Sequence, residues 1–240
     1  MSVVEFLSPN DVICCLWNKN SPEKCRIGLA DAVVYEAGVP AKWFVTGKTG
    51  EVLKKRGVDI PAISQRWSRI CAQNNSSVVG IIRQQGGILK FLNEEAWKNF
   101  TANIVPDTSV LSVHCFVKGN NKTVFRNRFE LRDKLGRFLS TTHSYTFQYD
   151  STNTEALSIM NVDGASFVES KATPLKNIMD LATNTVVRYI EMMLGIKVLS
   201  LSVDYVIDTK SQLWMLWTSE AKFVRSTNIT DMDIPGLFDL

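Results

Sequence analysis

The sequence predicts an α+β protein in which a helical N-terminal region precedes an antiparallel or mixed β-sheet carrying one long amphipathic helix. Three observations predict this class. Apolar and polar residues alternate over 122–132, as in a strand with one buried face. Apolar residues recur at three- and four-residue steps over 174–194, which indicates an amphipathic helix. Finally, apolar segments at 203–207 and 213–217 flank a polar turn and predict a hairpin.

The composition is that of an ordinary globular protein. Hydrophobic residues make up 45% of the 240 residues and charged residues 21%, which supplies enough apolar material for a core. A net charge of +3 is too small to imply nucleic acid or an anionic membrane, so any basic patch must be local. The five cysteines contain no CxxC pair, and neither a signal peptide nor a membrane span is recognisable. We therefore expect a cytoplasmic protein with no metal site and no membrane contact.

Residues 1–75 are predicted to be mainly helical. Ser21 and Pro22 supply an N-cap and a first helical residue, and this helix is expected to end near Gly38. Gly47, followed by Lys and Thr, precedes another expected helix at 51–56. A phosphate-binding loop needs a further glycine five residues earlier, where the chain has Lys, so a turn with a helix N-cap is the favoured interpretation.

Residues 76–225 are predicted to be the β-rich region. Strands are expected at 78–82 and 88–92, followed by a short helix and a meander of three antiparallel strands over 108–149. Residues 150–172 are expected to form a surface excursion, and residues 226–240 are expected to form a polar tail. The long helix at 174–194 is expected to cover the sheet with one apolar stripe, formed by Ile178, Leu181, Ala182, Val186, Tyr189, Ile190 and Met193.

A run of cations lies on the predicted solvent face of the sheet. This basic stripe consists of Lys118, Lys122, Arg126, Arg128, Arg132, Lys134 and Arg137. It is interpreted either as a solvated face or as a contact for an acidic partner such as nucleotide phosphates, nucleic acid or a tubulin-like protein surface. Phe125 and Phe129 should point inward, away from the stripe, which argues against base stacking and therefore against nucleic acid.

The order of elements from about residue 108 onward resembles the C-terminal half of the ATP-grasp fold, particularly in tubulin tyrosine ligase-like enzymes. In that family the magnesium strand has the form Asp-Phe-x-x-Asp, and a strand of the form Trp-Leu-x-Glu-x-Asn follows. Here Asp204 and Asp208 match the first motif and Trp214 begins the second. The resemblance covers about half of the chain, and the first hundred residues do not look like the family's N-terminal domain.

The resemblance also shows a departure. Trp217 falls on the family's metal-binding glutamate and Ser219 on its metal-binding asparagine. An indole offers no oxygen to magnesium, on which phosphoryl transfer depends. Glu220 is nearby, but its odd offset along a strand points it to the opposite face unless a bulge intervenes. The resemblance implies a degenerate ligase-like module, of a kind found in proteins of cilia and flagella.

The leading functional hypothesis is therefore a non-catalytic scaffold or cytoskeletal component that has no cofactor and uses the basic stripe. One alternative is an active ATP-dependent ligase that binds ATP and magnesium through Asp204, Asp208, Glu220 and Arg126. Another is a nucleic-acid-binding module. Trp214 and Trp217 are interpreted as core anchors. His114 and His143 are interpreted as hydrogen-bonded sheet histidines on neighbouring strands.

Overall fold

The computed structural model describes residues 3–102, 105–132, 137–149, 158–162, 164–170 and 173–225. The helices of these ranges are α1 (Pro9–Cys15), α2 (Ile60–Gln73), α3 (Glu94–Ala102) and α4 (Thr173–Leu194). The strands are β1 (Val4–Leu7), β2 (Ala32–Glu36), β3 (Val39–Thr46), β4 (Val52–Lys54), β5 (Val78–Gln84), β6 (Ile88–Asn93), β7 (Val110–Cys115), β8 (Thr123–Leu131), β9 (Phe138–Thr146), β10 (Ser158–Asn161), β11 (Val168–Glu169), β12 (Lys197–Ile207), β13 (Leu213–Thr218) and β14 (Ala221–Val224).

The described strands form two sheets. Sheet I has the order β1-β14-β12-β8-β9-β11, and β13 also pairs with β12. Sheet II has the order β10-β6-β5-β7-β2-β3-β4. Every pairing between these strands is antiparallel. The chain is therefore an α+β protein, as the sequence predicts.

The two sheets face each other between helices. The helix α4 covers the outer face of sheet I, where it packs on β8 and β12. The helices α2 and α3 cover the outer face of sheet II through Trp67 and Trp97. The inner faces meet in an aromatic cluster that we call the inter-sheet core; it includes Phe91, Phe116, Tyr145, Phe147 and Trp217. Both faces of each sheet are thus used for packing over much of their area.

A helix is present at the predicted 174–194, as α4. Because α2 is a second long helix, of 14 residues, the expectation of one long helix on the sheet is not confirmed. The expected apolar stripe of α4 is partly wrong. Ile178 and Leu181 are 53% and 71% exposed. The helix instead turns Thr183 toward sheet I, where its hydroxyl lies 3.0 Å from the hydroxyl of Tyr205.

The prediction of a mainly helical 1–75 is wrong, because β1 to β4 lie there beside α1 and α2. The helix expected to end near Gly38 is replaced by the hairpin of β2 and β3. Ala37 and Gly38 at its tip have φ values of 50° and 80°. Consecutive left-handed residues are the signature of a tight hairpin turn and end any right-handed helix. The helix expected at 51–56 is likewise replaced by β4.

The expected meander over 108–149 is only partly correct. β8 and β9 pair antiparallel as predicted, but β7 pairs with β2 and β5 of sheet II. The chain crosses between the sheets at Gly119, where an added Cβ would lie 2.3 Å from Val206 Cγ2, so only glycine permits this approach. The excursion expected at 150–172 contains β10 and β11. Residues 133–136 of the expected meander and the tail at 226–240 lie outside the described residues.

Candidate functional site

The hairpin of β12 and β13 is present where the sequence predicts it. Successive residues of β12 point alternately toward α4 and toward the inter-sheet core. Asp204 and Val206 are on the side that faces the inter-sheet core. The register shifts between Asp204 and Tyr205, because Leu216 is an extra residue on β13. This bulge places Trp217 directly opposite Asp204.

Asp204 is a buried carboxylate whose side chain is 2% exposed. Arg126 donates from Nε to Oδ1 at 2.7 Å and from Nη2 to Oδ2 at 2.9 Å. The Tyr145 hydroxyl donates to Oδ2 at 2.8 Å. The Trp217 indole Nε1 also donates to Oδ2, at 2.8 Å. We call these four residues the Asp204 cluster.

The Asp204 cluster does not fit a magnesium site. The charge of Arg126 balances that of Asp204, and the other two donors are neutral. Magnesium needs a near-octahedral shell of oxygen ligands. At Asp204 an ion would have to displace a guanidinium that is held by two hydrogen bonds, and it would meet an indole N–H, which offers no oxygen ligand.

Aromatic rings enclose the cluster. The Arg126 guanidinium lies 5.0 Å from the ring centroid of Phe167 and 5.8 Å from that of Tyr145, within cation–π range. Burial, followed by the negative charge of Asp204, raises the pKa of the Tyr145 hydroxyl well above its usual value. Tyr145 therefore remains a hydrogen-bond donor across the physiological pH range.

The two histidines lie in different sheets, so the expectation that they meet on neighbouring strands is wrong. His114 is on β7 of sheet II, and its ring centroid is 5.5 Å from that of Trp217 in sheet I. Its Nε2 lies 2.8 Å from the Ser112 hydroxyl. Burial, reinforced by the charge of Arg83, lowers the pKa of His114 to about 3, so the ring is neutral.

Asp208 and Glu220 lie apart from the Asp204 cluster. Asp208 follows β12 and organises the hairpin turn: its Oδ1 accepts the backbone N–H groups of Lys210 and Gln212 at 2.8 and 2.9 Å. Its Oδ2 accepts from Trp214 Nε1 at 2.9 Å. Glu220 is exposed between β13 and β14. The bulge in this hairpin thus aligns Trp217 with Asp204 and leaves Glu220 outside the pair.

The structure separates the residues of the basic stripe. Arg126 belongs to the Asp204 cluster, while Lys118 and Lys122 donate to the backbone carbonyls of Asn75 and Tyr149 at 2.8 and 2.9 Å. Three exposed arginines lie near the C-terminal end of β8 and the N-terminal end of β9: Arg128, Arg132 and Arg137. We call these three residues the arginine end. Lys134 lies outside the described residues.

Sequence reasoning missed Tyr145 as a partner of Asp204. The alternation along β9 could have indicated its face, but only the pairing of β9 with β8, which sets Tyr145 opposite Val124, brings it to the cluster. The described ranges contain no group of three His, Cys, Asp or Glu side chains that could hold a metal ion. In these ranges, too, no helix has the length and apolar character needed to cross a membrane.

No protein-family model and no curated protein sequence matches the chain. Among solved structures it is similar to D-cycloserine synthetase DcsG, with a TM-score of 0.48 and 8% identity over 81% of this chain and 58% of that one. It is also similar to the D-alanine-D-alanine ligase of Coxiella burnetii, with a TM-score of 0.45 and 6% identity over 81% and 43%. A third similar structure is the N5-carboxyaminoimidazole synthetase of Staphylococcus aureus, with a TM-score of 0.41 and 10% identity over 81% and 40%.

The chain thus spans less than two thirds of each of these enzymes. The likeness to all three is distant. With TM-scores below 0.5 and identities of 10% or less, it supports neither a family assignment nor a function.

Proposed function

We propose that this chain is a non-catalytic binding module that recognises an acidic protein surface. The observation that supports the proposal is the Asp204 cluster, in which Arg126, Tyr145 and Trp217 use both carboxylate oxygens of Asp204. Phosphoryl transfer requires a metal that neutralises the developing charge on the phosphates. A carboxylate that is already neutralised by an arginine is a poor ligand for that metal.

An ATP-dependent ligase built on Asp204, Asp208, Glu220 and Arg126 finds less support. Asp208 is bound by three donors of its own hairpin, and Glu220 is exposed outside the inter-sheet core. These side chains do not converge on one point in the way that ATP and magnesium would require. We therefore assign the cluster a structural role and place recognition elsewhere.

The arginine end is the part of the basic stripe best suited to a partner. Arg128 has a side chain that is 59% exposed, although it forms an ion pair with Glu130 at 2.6 Å. The backbone N–H of Arg132 donates to the carbonyl of Arg137 at 2.8 Å, so these two residues lie side by side. Exposed cations grouped in this way attract an acidic surface, and the attraction falls as salt is added. A tubulin-like surface is such a partner, and a cytoskeletal scaffold is the corresponding role.

Cosedimentation with microtubules at low and high salt tests the proposal. We expect the wild-type protein to pellet at low salt and to be released at high salt. Arg132→Glu, which reverses one charge in the arginine end, should weaken pelleting severalfold, since like charges across an interface oppose association. The matched control is Arg188→Glu, which makes the same change on the exposed side of α4. Failure to pellet at either salt, or equal losses in the two variants, would refute the proposal.

A further inference from the structure

A cavity of about 260 Å³ lies where the two sheets join, and we call it the junction pocket. It is bounded by α2, by the turn between β3 and β4, and by the β12–β13 hairpin. Its floor includes Ala30, whose N–H donates to the Met215 carbonyl at 2.9 Å, while the Met215 N–H donates to the Gly28 carbonyl. The floor is therefore hydrogen-bonded to β13 of sheet I.

The turn at the rim of the junction pocket is not a phosphate-binding loop. The Gly47 N–H donates to the Glu51 carbonyl at 2.8 Å, and the Gly50 N–H to the Gly47 carbonyl at 3.1 Å. The Thr49 N–H donates to the Glu51 carboxylate at 3.1 Å. These amides are committed within the turn, whereas a phosphate cradle needs several of them free.

Both carboxylates that line the junction pocket already accept hydrogen bonds within the protein. Asp31, whose side chain is 5% exposed, accepts two hydrogen bonds from Arg66, from Nε and Nη2. Asp208 accepts three hydrogen bonds from its own hairpin, one of them from Trp214 Nε1. Donors of the protein itself therefore already engage both carboxylates.

Unused donors remain on the same walls. Among the residues that the structure describes, Lys48 forms no ion pair and the side chain of Asn74 forms no hydrogen bond. Arg66 uses only Nε and Nη2, and its side chain is 43% exposed. Beside these donors lie the indole of Trp214 and the aliphatic side chain of Ile70. The pocket thus combines an apolar wall with groups that hydrogen-bond an anion.

We propose that the junction pocket binds a small planar organic anion, such as an aromatic carboxylate, without a metal. Lys48 and Arg66 contact the carboxylate, and the ring lies against Trp214. The volume is slightly below the roughly 300–1,000 Å³ of sites for drug-sized ligands, which favours one or two fused rings over a nucleotide. This binding is independent of the acidic partner proposed above, since it uses none of the arginine end.

Calorimetric titration with 2-naphthoate tests the proposal, with the neutral 2-naphthamide as the matched probe. We expect saturable binding of the carboxylate that is about tenfold tighter than binding of the amide, because a charged hydrogen bond is lost with the amide. Lys48→Ala should weaken 2-naphthoate by a similar factor. Lys98→Ala, on α3 and outside the pocket, should leave its affinity unchanged.

A second variant tests the pocket by filling its volume. Ile70→Trp adds volume to the pocket wall from α2 and should abolish binding, and a thermal melt checks that it remains folded. The absence of saturable heat with 2-naphthoate would overturn the proposal. Equal affinities for the carboxylate and the amide, or unchanged affinity in Lys48→Ala, would overturn it as well.

Discussion

Arg126 supplies the positive charge that balances the buried carboxylate of Asp204. It is 25% exposed at the side chain, while its partner Asp204 is almost completely buried. Removing two charges from water is costly, and a buried pair roughly balances that cost when every lone pair is satisfied. Tyr145 and Trp217 each donate a further hydrogen bond to Oδ2 of Asp204. Removal of Arg126 alone would therefore leave a buried negative charge without compensation.

Arg126→Met is expected to lower the free energy of unfolding by about 2–4 kcal/mol, because the charge of Asp204 then has no counterion. The matched control is Arg128→Met, two residues along the same strand, where the side chain is 59% exposed. That change should cost less than about 0.5 kcal/mol. Urea unfolding followed by circular dichroism measures both. Equal losses in the two variants would show that the Asp204 cluster does not hold its ion pair as described.

At the scale of elements, the segment before β2 joins the two sheets. Leu29 forms a parallel bridge to Met215 of β13, and the Thr46 hydroxyl both accepts from the Leu29 N–H and donates to the Leu29 carbonyl, each at 2.8 Å. Gly28 lies directly against β13, where an added Cβ would be 2.6 Å from the Leu213 carbonyl oxygen. A backbone atom cannot move aside as a flexible side chain can, so this contact requires glycine.

Gly28→Ala is expected to lower the free energy of unfolding by about 1–3 kcal/mol, since the methyl group overpacks this junction. Gly57→Ala provides the control, because an added Cβ there meets nothing within 4 Å. It should leave stability unchanged or raise it by about 0.5 kcal/mol through the unfolded state. Thermal and urea unfolding compare the two. A Gly28→Ala protein as stable as the control would contradict the tight junction.

Predictability from sequence also differs from element to element. The β8 strand and α4 are recognisable because their apolar spacing is long and regular. The segment before Gly38 is predicted as helix because its clustered apolar residues fit either period, whereas the turn at Ala37 and Gly38 decides in favour of strands. The sequence shows that Trp217 stands where the family that the chain resembles has a metal-binding glutamate. Its hydrogen bond to Asp204 is not, because the bulge at Leu216 and the position of Arg126 depend on tertiary pairing.

For the whole molecule, the packing of one sheet on the other makes stability sensitive to pH. His114 of sheet II is fully buried against Trp217 of sheet I, and its pKa is lowered from 6.5 to about 3. The unfolded chain binds a proton at this histidine below pH 6.5, whereas the folded protein does not until about pH 3. The unfolded state thus binds more protons in that window, so stability is lost as the pH falls.

Between pH 7 and pH 5 this histidine should reduce the free energy of unfolding by about 2 kcal/mol, at about 1.4 kcal/mol per pH unit below 6.5. His114→Gln removes the titration, so the difference between wild type and variant should shrink by that amount over the same interval. Urea unfolding at a series of pH values measures it. A difference that is constant with pH would mean that His114 is not held neutral between the sheets.

The most direct test of the Asp204 cluster is calorimetric titration of magnesium–ATP into the wild-type protein and into Asp204→Asn. With Arg126, Tyr145 and Trp217 occupying the carboxylate of Asp204, we expect no saturable, magnesium-dependent heat from the wild type. Saturable magnesium-dependent binding by the wild type that disappears in Asp204→Asn would contradict this, because it would show that Asp204 is available to a metal-bound nucleotide.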